Sequence, residues 1–394
     1  MSRMLDCDVI IIGGGIVGSA AALALAERGR RVVLLERDTC GSRSSGVNYG
    51  GVRRQGRKPC QLPLSQRAHA IWAGLKQRIG IDGEYVRCGH LKLARNAEDM
   101  AALEQYFDLT RDAGLGLRLL DAKVLRRDYP WLGERAVGAS LCPEDGQANP
   151  RLVSPAFAWA AARAGAQIFE HTLAEKIERL PRGFEVACKT LLALGGLVVR
   201  GEQLINCAGA WAGPFAAQFG EPVPLAAGHP AMAVTEPLPF FMPLSLGVEG
   251  GSIYGRQVQR GNFVIGGGPG LALDGERARN TTEALLPLFS QALELLPALR
   301  NAQVIRSWSG TEANMPDRQP VLCASRTTPG LWHGFGFSGA GFQIGPAAGE
   351  VLAELACDGR TSTPIEAFAI ERFAAPLHPG TPGRDGPRFA SPIA

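Results

Sequence analysis

The first long apolar pattern of the chain is a run without a single charge, from Val9 to Ala26. Its texture changes twice. Asp8 to Ile12 is short, continuous and rich in β-branched residues, which predicts a strand buried on both faces. Gly13, Gly14, Gly15 and Gly18 then interrupt the run. Ile16 to Arg28 is rich in alanine and leucine, which predicts a helix closed by Gly29. Arg31 to Leu35 returns to a β pattern and stops at Glu36. A signal peptide or a membrane helix also presents a long uncharged stretch. Asp6 and Asp8 ahead of the run, and the glycines within it, favour strand, turn and helix. No other stretch is long enough to span a bilayer.

Later patterns are less regular. Pro222 to about Gln303 reads as short β runs broken by Pro and Gly, followed by a leucine-rich helix over 284–296. A helical pattern also covers Gln343 to Cys357. The last nineteen residues, after Ala375, are Pro/Gly-rich and read as a disordered tail. No internal repeat or low-complexity tract appears.

The turn after the first strand spells Gly13-x-Gly15-x-x-Gly18. Gly13 permits a tight turn. Gly15 lets the backbone approach a pyrophosphate, which would sit on the helix N-terminus, and Gly18 allows close packing of helix on strand. Glu36 lies eighteen residues beyond Gly18, where an acid binds the hydroxyls of an adenosine ribose. The pattern predicts one dinucleotide site. A second match, "GFGFSG" at 334–339, opens a helix but leads into the Pro/Gly-rich tail. No second βα unit follows, so the dinucleotide is expected to be resident FAD rather than a nicotinamide.

Composition narrows the class. The 394 residues suggest two domains, and 46% hydrophobic with 20% charged residues fits a globular protein with a full core. A net charge of +4 is too small for a nucleic-acid footprint. Only six residues are lysine, so nearly all positive charge is arginine, suited to bidentate contacts with carboxylate or phosphate. The nine cysteines contain no CxxC pair and predict neither a metal site nor a disulfide framework; a reducing, cytoplasmic setting fits best. The six histidines show no metal spacing, and only His333, just before the second glycine motif, stands near predicted chemistry.

Six stretches then occur in order: the N-terminal unit, "NCAGAWAG" (206–213), "VTEPLP" (234–239), "IYGRQVQRGNFVIGGG" (253–268), "WSGTEANMPDRQPVL" (308–322) and "GFGFSGAGFQIGPAAGE" (334–350). Together they resemble the D-amino-acid oxidase superfamily of FAD-dependent amine oxidoreductases. The branch most similar holds glycine and sarcosine oxidases and the flavin subunits of opine oxidase and D-hydroxyproline dehydrogenase. The resemblance covers residues 5 to 375. It implies an α/β FAD domain with a parallel Rossmann-like sheet, formed by 1–84, 145–220 and 305–375. It also implies a substrate domain on an antiparallel sheet, formed by 85–144 and 221–304.

The same resemblance implies site residues. Gly13, Gly15, Ile16, Val17 and Gly18 would hold the phosphates, with Glu36 and Arg37 at the adenosine. The loop "SSGVNYGGVRRQGR" (44–57) would run past the phosphates onto the flavin. Ser44, Ser45 and Asn48 would supply polar contacts there, and Gly46, Gly50 and Gly51 a close backbone approach. Arg53 would reach the flavin or a substrate carboxylate, while Arg54, Arg57 and Lys58 read as a solvated face. Ala174, Ala208, Gly209 and Trp211 would pack on the cofactor. Gly336, Ser338, Gly339, Gly341, Phe342 and Gln343 would surround the helix N-terminus facing the flavin N1–C2=O edge, where fixed donors stabilise negative charge.

Three departures matter. Gly310 stands near the place where some relatives carry a flavin-linking cysteine, so FAD is expected to be noncovalent. Glu312 replaces a carboxylate-binding arginine and would meet an ammonium, a second basic group or an arginine. Gln343 replaces a lysine, and no lysine follows Lys189, which favours a dehydrogenase over a strict oxidase. The carboxylate anchor is then Arg53 or, second, Arg256. Alternation along the strand puts Tyr254 and Arg256 on one face. The expected reaction is oxidation of a small amino acid or secondary amine to an imine by hydride transfer to flavin. The acceptor is O2 or a protein or quinone. The alternatives are a flavin-bearing subunit that needs partner subunits, and a flavin-binding protein without catalysis.

Overall fold

The computed structural model describes residues 3–190 and 196–373. The expected disordered tail, 376–394, lies outside the described residues.

The first strand, β1 (Arg3–Ile12), is followed by α1 (Ile16–Glu27) and β2 (Val32–Leu35). β1 lies between two parallel neighbours, β2 and the strand Gly196–Asn206. Pairing on both edges and packing on both faces explain its unbroken apolar sequence. The sheet continues beyond β2 to Gln167–Phe169. On the other side it reaches Leu331–Phe335 and Val321–Ala324, the last of them antiparallel. A meander, Thr172–Arg179 with Phe184–Thr190, joins along Gly196–Asn206, making eight strands.

α1 is buried on every side from Ile16 to Ala26. It packs against two other helices, Pro150–Arg163 and Gly341–Asp358, as well as the sheet. Its alanines follow from that crowding. A Cβ on Gly349 would stand 2.6 Å from Ala20 Cβ, and one on Gly345 2.7 Å from Ile16 Cγ2. Small residues facing small residues therefore set the helix–helix distance.

A second eight-stranded sheet starts at Val304–Ser309 and runs through Pro230–Pro237, Asn262–Pro269, Tyr254–Gln257 and Ser245–Val248. It then continues through His90–Ala94, Gly138–Cys142 and Arg118–Asp121. All of its pairings are antiparallel except Ser245–Val248 against His90–Ala94. Its apolar face is covered by the helix Thr282–Leu295, close to the leucine-rich stretch the sequence shows, and it carries its own core around Leu91, Leu246, Phe263 and Leu288. Val304–Ser309 runs in this sheet, although the expected first boundary of the last FAD segment fell at 305. No helix among the described residues is long and apolar enough to cross a membrane, and their nine cysteines are all free.

Candidate active site

A single cavity of about 1640 Å³ runs from the Gly13–Gly18 turn to the second sheet. It exceeds the roughly 300–1,000 Å³ typical of small-ligand pockets and has room for a dinucleotide with a substrate chamber beyond it.

At one end the glycine turn takes the shape its spacing predicts. Gly13 has φ +105°, and a Cβ there would stand 2.3 Å from the Cys207 carbonyl oxygen. A Cβ on Gly18 would stand 2.0 Å from the Gly13 carbonyl oxygen, so helix and strand meet only because that atom is missing. Gly18 consequently packs behind the cavity, while Gly15, Ile16 and Val17 line it. Ser45 Oγ accepts the Ile16 N–H at 2.9 Å. Ser44 lines the cavity too, but its hydroxyl donates to the Thr311 carbonyl, tying the loop to the second sheet's connection. Asn48 holds the loop in shape through Ser44 O, Ser45 O and the Gly50 N–H. Gly50 turns at φ +88° behind the cavity, and Gly51 lines it.

Glu36 faces this end. Its two oxygens accept the N–H groups of Gly14 at 2.7 Å and Asp38 at 2.8 Å. Burial raises its pKa, and those two hydrogen bonds oppose the rise. Each oxygen keeps a lone pair for a ribose hydroxyl. Arg37 stacks on Trp211, 3.6 Å from the ring centroid, and reaches Glu276 at 2.5 Å. Its Nη2 is buried with no partner among the described residues. Ala174, Ala208 and Gly209 complete the wall. Of the cysteines only Cys207 lines the cavity, and burial pushes its thiol far above the ordinary range, away from the nucleophilic thiolate.

In the middle, Gly334 to Phe342 forms the opposite wall. Gly336 and Gly339 adopt φ +74° and +85°, and Ser338 +48°. Ser338 Oγ accepts the Met315 N–H at 2.9 Å, which stabilises the unusual turn. The helix Gly341–Asp358 starts without a side-chain cap, with Gly341 and Phe342 on the cavity. Its first N–H groups are the orphan donors of a helix N-terminus. Gln343 departs from expectation. Its side chain turns away from the cavity to Ser65, 2.8 Å from Ser65 Oγ and 3.0 Å from its carbonyl. It locks the helix Leu62–Ala73 in place, because two residues of helix, about 200° of rotation at 3.6 residues per turn, carry position 343 from the Gly341 face to the far one.

The far end is the chamber. Tyr254, Glu312, Arg53, Tyr49, Arg57, Lys92 and Arg318 all line it. Tyr49 and Tyr254 pack with centroids 4.7 Å apart. Burial raises the pKa of Glu312, while Arg318, the Gly339 N–H and Arg57 oppose that rise. No basic group lies within ion-pair distance of Glu312 among the described residues. Arg53 donates to the Gln55 carbonyl at 2.5 Å and keeps its place on the chamber wall. Arg256 does not reach the chamber. Its side chain turns under the loop and donates to the Tyr49 carbonyl, although it shares a strand face with Tyr254. The two residues therefore separate: the Tyr49 carbonyl holds Arg256 under the loop, while the Tyr49 ring packs on Tyr254 at the chamber wall.

The expected solvated face is corrected in two of its three members. Arg54 is buried against Asp145, Nε to Oδ1 3.1 Å. Arg57 is buried as well, and only Lys58 is exposed. Lys92, from the strand His90–Ala94, was missed: it enters the chamber paired with Glu249. His90 beside it is held neutral by burial and by Arg53, Lys92 and Arg57. Nothing local in sequence marks residues 90 and 92; the pairing of two distant strands brings them in. His333 is fully buried, 3.0 Å from Glu221, and lies off the cavity.

The cradle fits a flavin dinucleotide: a Cβ-free phosphate turn, a free acid face and an unpartnered Arg37 Nη2 at the adenosine end, and an uncapped helix N-terminus in the middle. The family model for FAD dependent oxidoreductases matches residues 8–355. Glycine oxidase of Geobacillus kaustophilus (strain HTA426) is 27% identical over 375 residues, covering 93% of this chain and 97% of that one. A subunit of the opine oxidase of Rhizobium meliloti is 26% identical over 384 residues, covering 94% and 99%. Among solved structures, L-proline dehydrogenase from P. horikoshii superposes with a TM-score of 0.85 at 26% identity, covering 95% and 99%. With its turn, cradle and two-sheet architecture accounted for, the chain belongs to the family of FAD-dependent oxidoreductases.

Proposed function

We propose that the chain oxidises a small amino acid or secondary amine, removing hydride from the carbon next to nitrogen to leave an imine that hydrolyses. The supporting observation is the chamber itself. Beyond the glycine wall it offers a carboxylate-seeking cation, Arg53, and a carboxylate, Glu312, on one cavity. A zwitterionic amino acid needs that pair of opposite charges. FAD, when bound, supplies the hydride acceptor. The chain's residues do the rest. Arg53 holds the substrate carboxylate. Ionised Glu312 faces the substrate nitrogen. Tyr254 and Tyr49 form an aromatic wall that limits the angle of approach, and such fixed positioning accounts for much of the rate. Relatives with 27% to 25% identity include glycine oxidase, an opine oxidase subunit and sarcosine dehydrogenase, all named for amino-acid or amine oxidation.

The test is an anaerobic screen of D-amino acids, imino acids and N-alkyl glycines for loss of the flavin's visible band. Bleaching by at least one class is expected, and no bleaching by any would defeat the reading. Likeness to an opine oxidase subunit favours a second possibility, a chain that passes electrons to a partner subunit. Slow reoxidation in air, without peroxide, would select it.

A further inference from the structure

The loop 53–57 carries three arginines, and the fold treats them differently. Arg54 is neutralised by Asp145, whose oxygens also accept the N–H groups of Arg54 and Gln55 at 2.9 and 3.0 Å. Arg53 is half-buried and spends one donor on the Gln55 carbonyl. Arg57 is only 5% exposed and lines the chamber. Its Nε is buried without an acceptor, and no carboxylate lies within 4.0 Å of its guanidinium among the described residues. Burial, and then the charge of Arg53, lower its pKa to about 9. Lys92 does not share this lack, because Glu249 neutralises it.

A buried guanidinium without a counter-charge is a strongly unfavourable arrangement, and breaking a buried pair costs far more than a surface one. The fold answers that cost at Arg54 and at Lys92 but not at Arg57. The phosphate turn does not answer it either. Arg57 lies with Arg53 and Lys92 near the second sheet. The Tyr106 hydroxyl holds its carbonyl at 2.9 Å, and the phosphate turn is at the other end of the cavity. A Cβ on Gly56 would stand 3.1 Å from Arg53 Nη1 and 3.7 Å from Lys92 Nζ, so that glycine keeps the cations closely gathered.

Resting on the amino-acid reading above, we propose that Arg57 forms a second anion subsite. The substrate is then an amino acid bearing a second carboxylate, on its side chain or on its nitrogen substituent. One carboxylate pairs with Arg53 and the other with Arg57, and the repulsion between these two neighbouring cations is relieved by two anions better than by one. Glu312, across the chamber, is left to the nitrogen between them. Arg57 is thus a specificity residue for the same reaction.

The experiment uses the FAD-loaded protein and two ligands that no amine chemistry can consume, thiodiacetate and (methylthio)acetate. They share one carboxymethyl thioether and differ by one carboxylate. Binding is read by calorimetry and by perturbation of the flavin spectrum. A hydrogen bond to a charged group is worth about 1.5–3 kcal/mol, so thiodiacetate should bind about 10- to 150-fold more tightly. Arg57→Met should bring the two affinities within about threefold, and Arg57→Lys should restore part of the difference. Equal binding of both ligands by the wild-type protein would overturn the proposal without any variant, should Arg57→Met not fold. So would an equal loss for both ligands in Arg57→Met, which would make Arg57 the primary anchor. Bleaching by monocarboxylic amino acids alone would overturn this subsite and leave the amine-oxidation reading standing, whereas failure of every amine to bleach would defeat that reading itself.

Discussion

Gly15→Val separates the needs of the ligand from the needs of the fold. Gly15 is the N-cap of α1 with φ −67° and ψ 177°, extended backbone open to any residue. A Cβ there meets only Ser45 Oγ, at 3.1 Å, and otherwise points into the cavity. Replacing glycine where the backbone conformation is compatible stabilises by about 0.4–1 kcal/mol through the unfolded chain. The small displacement of Ser45 works against that gain, so the FAD-free variant should unfold within about 1 kcal/mol of the FAD-free wild type. The valine methyls, however, occupy the space in which a pyrophosphate meets the helix N-terminus. With FAD at about 1,000 times its dissociation constant, the wild-type protein gains about 4.1 kcal/mol from binding. A 1,000-fold weaker variant gains about 0.4 kcal/mol under the same conditions. Thermal melts of the FAD-free and FAD-supplemented proteins, read by circular dichroism, measure both quantities. Gly18→Ala is the control: its Cβ strikes the Gly13 carbonyl oxygen, so overpacking should cost about 1–3 kcal/mol with or without FAD. Yellow Gly15→Val with a wild-type FAD-dependent shift would refute the reasoning, as would a FAD-free Gly15→Val that melts as low as Gly18→Ala.

Three further outcomes follow from two carboxyl groups. Asp145→Asn strands the Arg54 guanidinium, and chemical denaturation should show a loss of about 3–5 kcal/mol; a loss below about 1 kcal/mol would mean that Arg54 finds water or another acceptor. Glu312 has its pKa raised by burial, so the folded state holds that proton more tightly than the unfolded chain does. Its contribution to stability is complete below the ordinary carboxylate range and is lost as pH rises through the raised folded value. Glu312→Gln should therefore be more stable relative to wild type at pH 8 than at pH 4, and an unchanged difference would contradict a raised carboxyl pKa. The same variant should lose the part of the pH dependence of amino-acid binding that reports ionisation of Glu312.

What could be read from the chain was local, and what could not was set by distant contacts. The β1–α1–β2 unit was legible because its glycines answer to atoms a few residues away: Gly18 meets Gly13, and Gly13 needs a positive φ. The helix at Gly341 was legible for the same reason, since its glycines mark a turn rather than a partner. Arginines were misread because their state depends on what another strand supplies. Arg54 looked solvated until the chain around Gly146–Gln147 returned to pair with Gly51–Val52 and delivered Asp145 beneath it. Arg256 looked available until the Tyr49 carbonyl claimed it. Gln343 was placed on the cofactor by motif alone, but a position on a helix faces what its angle dictates, and 343 faces Ser65. Sequence therefore located the cradle by shape and the chamber only by neighbourhood. For the same reason Arg57 carries more information than Arg53. A motif can nominate an arginine, but only the surrounding fold can leave one buried without a partner, and that gap in the charge balance says what the ligand must bring.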